Sequence, residues 1–334
     1  LPEMATASSW NLTATAAFVC ATAQPAVAWN DRGHMLSAMI AYSELKPEVR
    51  EKVNAILRAH PQRDRLIRGG PAEGPDLDMW VFAMAATWPD MLRGRDNPLG
   101  AKEHHGSWHY VNFPISVDGV TGPTPEETWD GKSDPANIVM AMAKCIAELK
   151  ADATTVDRRA MSMCWVEHLV GDIHQPLHAT NLYSPQFPQG DRGGNSFAVK
   201  RGASPTNLHS YWDNALGTGI DFVSLKAQIE GFKANPELTR FRLCGDKPST
   251  DFSAWTRESL TLAREVVYRN GELKGAAHTD GPYAADTPEL PSDYEAAAKK
   301  AAACQVARAG YRLADVLNEL LTEHPQVSPT TRTP

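Results

Sequence analysis

The sequence contains no Cys-x-x-Cys pair, which removes a thiolate zinc site or a thioredoxin-like redox motif from consideration. It has no excess of basic residues. The 334-residue chain carries a formal net charge of −7, so a general basic surface that grips nucleic acid by neutralising phosphates is excluded, and any anionic substrate needs local positive charge. It offers no run of about 20 apolar residues with which to cross a bilayer. It also lacks internal repeats, low-complexity blocks and a clear linker, and strand-like alternation is scarce. What is present is 42% hydrophobic residues, enough for a substantial core, and helical periodicity from residue 34 onward. The expectation is an all-α protein: a single mainly helical domain with very little strand.

The helices can be placed by their punctuation. "HMLSAMIAYSELKPEVREKVNAILRAH" reads as two helices separated near Lys46, because Pro47 suits the first turn of a new helix and Val49, Val53, Ile56 and Leu57 form its inner stripe. "DLDMWVFAMAATWPDMLR" resumes helix near Asp76, and Pro89 should bend it so that Asp90 is presented differently from its neighbours. A start signal at Ser133 to Pro135 precedes the stripe Ile138, Met142, Ile146, Leu149. Further helices are expected over 156–175 and near 207–216, 221–233, 251–269 and 291–321. "HYVNF" and "SFAVK" are the best strand candidates, the second after the turn-forming Gly193-Gly194-Asn195. Segment 271–290 and the tail 323–334 read as loop and disorder from their Pro, Gly and Asp content.

Residues 1–28 have the look of a secretory leader, a mildly apolar stretch ending in Ala26-Val27-Ala28, with cleavage expected before Trp29 and a secreted or periplasmic destination for the domain 29–322. Loss of the leader would delete Cys20 and leave Cys145, Cys164, Cys244 and Cys304, an even number compatible with two disulfides in an oxidising compartment. His60, His278 and His324 read as ordinary surface residues.

The chemistry lies in the stretch "HLVGDIHQPLHAT". Four residues of helix return side chains to one face, so His168 and Asp172 project together, and Pro176 ends the helix so that His178 can turn toward a ligand position. "NLHSYWDN" repeats the His-x-x-x-Asp spacing with His209 and Asp213. "TWPDMLR" adds Asp90, "SWHYVNF" adds His109, and "WNDRGHM" puts His34 five residues after Trp29. This pool of imidazoles, carboxylates and one new terminal amine holds only nitrogen and oxygen donors and favours zinc, with manganese and iron as alternatives. An α-amino group has a pKa of about 7.7–8.0, so it gives up its proton to a cation at neutral pH at little cost.

Taken in order, W-x4-H, W-x-D-x-x-R, H-[FY]-x-[DN], H-x3-D-x5-H and N-L-H-x3-D resemble the trinuclear-zinc single-strand nucleases, the family of the fungal nucleases P-one and S-one and the plant bifunctional nucleases, more distantly related to bacterial zinc phospholipase C. The resemblance runs from Trp29 to about Asp213. It implies a helical fold with a buried trinuclear metal cleft and three Zn2+. One would be held by Asp90, His109, His168 and Asp172, a second by Trp29 (amino nitrogen and carbonyl oxygen) and His34 with Asp172 bridging, and a third, more open one by His178, His209 and Asp213. It implies hydrolysis of single-stranded DNA and RNA to 5′-phosphorylated products and action on 3′-nucleotides, with Asp90, Asp172 and Arg93 in catalytic roles. Tyr110 would stack on a base. Asn112 departs from the fungal pattern, which has aspartate there, and so puts the base preference in doubt. Asn195 matches a position near the open zinc. His174 is matched to no metal and is expected in the core. No membrane and no obligatory protein partner is implied.

Two other readings compete. A zinc phospholipase C would use the same metals, but the phospholipases carry glutamate where Asp213 stands, and the stretch between His178 and His209 includes a nuclease-like Gly-Gly-Asn insertion. A non-enzymatic protein with structural zinc would close each metal shell, whereas only three protein ligands are evident at the third ion.

Overall fold

The computed structural model describes residues 29–322. Residues 1–28, expected as a leader and containing Cys20, and residues 323–334 with His324 lie outside the described residues. Pro47 divides the first two helices as expected, α1 (Asp31–Glu44) and α2 (Pro47–Arg58), the second burying Val49, Val53 and Leu57. A single turn, α3 (Arg63–Leu66), leads to α4 (Pro75–Ala85). The chain then breaks, and Pro89 sits in the first turn of a separate short helix, α5 (Trp88–Met91), which carries Asp90. α6 (Gly100–Glu103) and a 3₁₀ turn over Gly106–His109 precede strand β1 (Phe113–Ser116). The strand expected over 109–113 therefore begins only at its last residue. Its earlier backbone is bonded around His178: the Val111 amide donates to the His178 carbonyl at 2.8 Å.

α7 (Ile138–Lys150) starts later than the Ser133–Pro135 signal, because Asn137 is the cap. The Asn137 side-chain oxygen accepts the amides of Val139 and Met140 at 3.1 and 3.2 Å, while Ser133 is held in a turn by Asp130. α8 (Val156–Ile173) is capped by Thr155 and is followed by a 3₁₀ turn, Pro176–Ala179. β2 (Thr180–Tyr183) pairs in parallel with β1, Phe113 opposite Thr180. β3 (Phe197–Arg201) pairs antiparallel with β4 (Ser204–Asn207), which runs into α9 (Leu208–Asp213). α10 (Phe222–Ala234) and α11 (Arg240–Cys244) follow. The helix expected over 251–269 is regular only as α12 (Phe252–Leu262), then widens into a π turn at Ala263–Val267. Segment 271–290, expected as loop and disorder, is loop as expected but is tied down. β5 (Ala276–Ala277) pairs with β3, and Lys200 exchanges backbone bonds of 2.9 Å with Pro288 and Leu290. α13 (Tyr294–Thr322) closes the fold. Among the described residues no helix is long and apolar enough to cross a membrane.

Two helices have almost no solvent face: α1 is buried from Arg32 to Tyr42 and α8 from Ala160 to Ile173. They touch each other, with α13 and α4 packed on α1 and α7 on α8. A second apolar cluster, including Phe197, Val199, Trp212 and Tyr294, lies beside the small β3 sheet. Trp80, Trp88, Trp108, Trp165 and Trp212 are all core residues. Because α1 and α8 are enclosed, any polar side chain on them is taken out of water, which costs several kcal/mol unless it finds a partner. His34, Glu167, His168 and Asp172 are in that position.

Two expectations are corrected here. The four described cysteines are free thiols rather than disulfides. Cys145 and Cys164 are enclosed in α7 and α8, where burial pushes both thiols up and they act as small apolar side chains. His60 is not a surface residue: it is buried edge-on to Trp88, accepts the Gln62 amide at 3.1 Å, and burial lowers its pKa to about 4. His174 is a core residue as expected. Its Nδ1 donates to the Val170 carbonyl at 2.7 Å and its Nε2 faces Arg312 at 3.0 Å.

Candidate metal centre

Asp172 projects from α8 one turn after His168, and each of its oxygens faces different imidazoles. Oδ2 lies 3.1 Å from His168 Nε2 and 3.0 Å from His109 Nδ1, and Oδ1 lies 3.3 Å from His34 Nε2 on α1. Asp90 Oδ1, on the short helix after the break, lies 3.8 Å from His168 Nε2 and 3.9 Å from His109 Nδ1. On the far side His178 Nε2 faces His209 Nε2 at 3.1 Å, and Asp213 Oδ2 stands 3.6 Å from His209 Nε2. Three groups thus have donor atoms all within 4.8 Å of one another: His34, Asp90 and His168; His109, His168 and Asp172; His178, His209 and Asp213. Trp29 is buried, its side chain against Gly33, and the Asn30 amide reaches the Asp213 carbonyl at 3.4 Å, so the start of the described chain lies beside the third group.

The ring tautomers follow from the partners. His168 Nδ1 bonds the Ala86 carbonyl at 2.7 Å, His178 Nδ1 the His109 carbonyl at 2.6 Å, and His209 Nδ1 the Gly193 carbonyl at 2.6 Å. A carbonyl only accepts, so each Nδ1 carries the proton and each Nε2 presents a lone pair inward. His178 and His209 therefore turn their Nε2 atoms toward one another at 3.1 Å, a spacing at which both can face one cation. Both ring nitrogens of His34, both oxygens of Asp90, and Asp172 Oδ1 are buried without a hydrogen bond. Unmade polar contacts in a well-packed interior call for an ion or water. The donor set, imidazole and carboxylate only, fits zinc.

The electrostatics point the same way. Burial lowers the pKa of His34, His109, His168 and His178, which keeps the rings neutral, the form that binds a metal. Burial raises Asp172 to about 7 and pushes Asp213 well above the carboxylate range, against the lowering effect of a bond from Gln175. Without a cation the fold disfavours the charges that a cation would use.

Gly171 explains how two helices meet this closely. A Cβ there would fall 2.6 Å from His34 Nδ1, so only glycine lets His34 lie against α8, with its ring stacked on His168 at 4.1 Å.

The third group opens on a cleft of about 250 Å³ lined by His178 and His209 and by Arg93, Tyr110, Asn112 and Asn195. All four of the latter are sequence candidates. Arg93 pairs with Asp90 at 3.1 Å but leaves Nε and Nη1 without hydrogen bonds. Tyr110 is a large exposed aromatic at 38%. Asn195 has the turn role that its sequence neighbours suggest, donating to the Arg192 carbonyl at 2.8 Å, and also lines the cleft. Sequence reading missed Gln175, whose Nε2 bonds Asp213 Oδ1 at 2.7 Å, and Asn181 and Arg192, which line the cleft. Gln175 sits inside the quoted histidine motif, which was its one available signal.

A family model described as S1/P1 Nuclease matches residues 29–322. Endonuclease 4 of Arabidopsis thaliana is 24% identical, with 90% of this chain and 92% of that protein covered. Nuclease P1 of Penicillium citrinum is 23% identical over 87% of this chain and 97% of its own length. Nuclease S1 of Aspergillus oryzae is 24% identical over 59% and 57%.

Proposed function

The chain belongs to the S1/P1 nuclease family, and from that premise we propose that it is a zinc-dependent endonuclease hydrolysing single-stranded DNA and RNA to 5′-phosphorylated products, with action on 3′-nucleotides as well. The observation that carries the reading is the set of buried atoms on His34, Asp90 and Asp172 that make no hydrogen bond, within three His/Asp groups whose ligand atoms lie within 4.8 Å of one another. Asp90, His109, His168 and Asp172 would hold one zinc. Trp29 and His34 would hold a second, Asp172 bridging, and His178, His209 and Asp213 a third. Bound zinc lowers the pKa of water to about 7 and stabilises charge developing on oxygen.

The chain's own groups do the rest. Asp172 offers one oxygen to the His109 and His168 side and the other to His34, which suits a bridging carboxylate. Arg93 has two N–H groups to spare for a phosphate beside the cluster, a charge-assisted contact. Tyr110 offers a ring on which a base can stack, worth about 1–3 kcal/mol. Asn112 can donate to and accept from a base edge. The cleft suits one unstacked nucleoside, and a duplex must give up stacking to supply it, which supports a preference for single strands.

The leader belongs to the same reading. Cleavage after Ala28 would export the protein and free the Trp29 amine as a ligand, so the uncleaved chain should be poorly active. One experiment tests both: the exported protein is N-terminally sequenced, its metal content measured, and its cleavage of single-stranded and duplex DNA followed with and without chelator. Expected are a Trp29 terminus, three zincs per chain, and chelator-sensitive cleavage of the single strand to 5′-phosphate ends. Fewer than two metals per chain, or chelator-resistant cleavage, would overturn the proposal.

A further inference from the structure

The cleft has a second arginine. Arg192 lines it and is solvent-exposed, with its backbone at φ 57°, a conformation that L side chains rarely adopt. That strain is held in place from several directions. The Arg192 amide donates to Asn181 Oδ1 at 2.8 Å, and its carbonyl accepts Asn195 Nδ2 at 2.8 Å. The preceding carboxylate, Asp191, is buried and accepts the Leu182 amide at 2.9 Å and the Tyr268 hydroxyl at 2.5 Å. Strained backbone that its surroundings over-determine tends to mark function. Here the strain fixes the start of a side chain that, among the described residues, makes no ion pair or hydrogen bond through its guanidinium.

No aspartate or glutamate lines this cleft, whereas Arg93 and Arg192 both do. A scissile phosphate at the cluster can use the spare donors of Arg93. A second guanidinium without a carboxylate partner then has no role in holding a single phosphate. We infer that Arg192 is a specificity-determining residue that takes a second phosphate, the one next to the scissile linkage. The site thereby favours a strand with at least two phosphodiester linkages over a dinucleoside monophosphate. This rests on the nuclease reading above.

The test uses the zinc-loaded protein with two substrates, a dinucleoside monophosphate and a trinucleoside diphosphate. Arg192→Gly removes the guanidinium while suiting the positive φ, Arg192→Ala removes it without that relief, and Arg192→Lys keeps the charge. Loss of one charge-assisted contact should raise KM for the trinucleoside diphosphate about tenfold in both the Gly and Ala variants. KM for the dinucleoside monophosphate should rise less than twofold, and Lys should recover most of the loss. For the longer substrate the slope of log KM against log salt should fall by about 0.7, one phosphate's share on a single strand. An equal change on both substrates, no change on either, or a loss in Ala that Gly does not share would overturn the inference. If the wild type cleaves both substrates and the variants match it, only this inference fails. If the wild type cleaves neither, the nuclease reading fails with it.

Discussion

Asp172→Asn separates the two tasks of the central carboxylate, because they respond with opposite signs. In the metal-free protein Asp172 is fully enclosed, and burial raises its pKa from 3.8 to about 7. Between these values the unfolded chain has released the proton and the folded chain still holds it. The folded state therefore binds more protons, and its stability falls as pH rises through that window, levelling off above about 7. At about 1.4 kcal/mol per pKa unit the shift amounts to a cost of roughly 4 kcal/mol at pH 8. Asparagine has no such charge. Urea unfolding of the chelated proteins should show the variant gaining a few kcal/mol on wild type between pH 4.5 and pH 8. In zinc the order reverses. The variant loses the anion that faces both His34 and the His109–His168 pair, and kcat/KM on single-stranded DNA should fall by orders of magnitude, since even outer-shell partners of a metal cost about 10- to 100-fold. A stability difference that is the same at both pH values would refute the burial argument. Near wild-type turnover would show that no pair of cations is joined there.

Two further substitutions probe the surroundings of the cluster. Arg93→Ala removes a guanidinium with two unused donors and should lower kcat on single-stranded DNA about 10²- to 10³-fold, the usual loss for one preorganised transition-state donor. Its zinc content should stay at the wild-type level, and a matching loss of zinc would mean that the arginine serves Asp90 rather than the substrate. Gly171→Ala places a Cβ 2.6 Å from His34 Nδ1 and should cost about 1–3 kcal/mol by overpacking. Calorimetry and metal analysis check this, and unchanged melting with full zinc occupancy would show that α1 and α8 are not held apart by that contact.

The candidate ligands were legible because ligand spacing is a local property. His168 and Asp172 share a helical face by arithmetic, His209 and Asp213 repeat it, and the prolines at 89 and 176 mark where Asp90 and His178 leave the regular helix. The helix order was legible for the same reason. What stayed hidden depends on what packs against a residue rather than on its neighbours in sequence. Nothing around Glu167 says that α8 is covered on all sides, so that both its carboxylate oxygens lie buried without a hydrogen bond and burial pushes its pKa well above the usual range. His60 was misread as a surface residue for want of any sign of Trp88 beside it. The four cysteines suggested two disulfides by count alone, although the places of Cys145 and Cys164 inside α7 and α8 make those two apolar filling.

The cleft shows the same division more sharply. Gly193-Gly194-Asn195 was readable as a turn, but that Arg192 takes a left-handed conformation follows from Asn181 and Asn195 gripping its backbone, two contacts made across the chain and within the turn itself. The candidate metal centre depends on a comparable long-range coincidence. Helical spacing accounts for Asp172 meeting His168 but not for its other oxygen meeting His34, which requires α1 to approach α8 at the one position, Gly171, that has no side chain to prevent it. The contact of Asp172 with imidazoles on both sides is therefore a property of how two helices pack, and a substitution that moves α1 without touching any candidate ligand should uncouple His34 from Asp172 before it disturbs His178, His209 and Asp213.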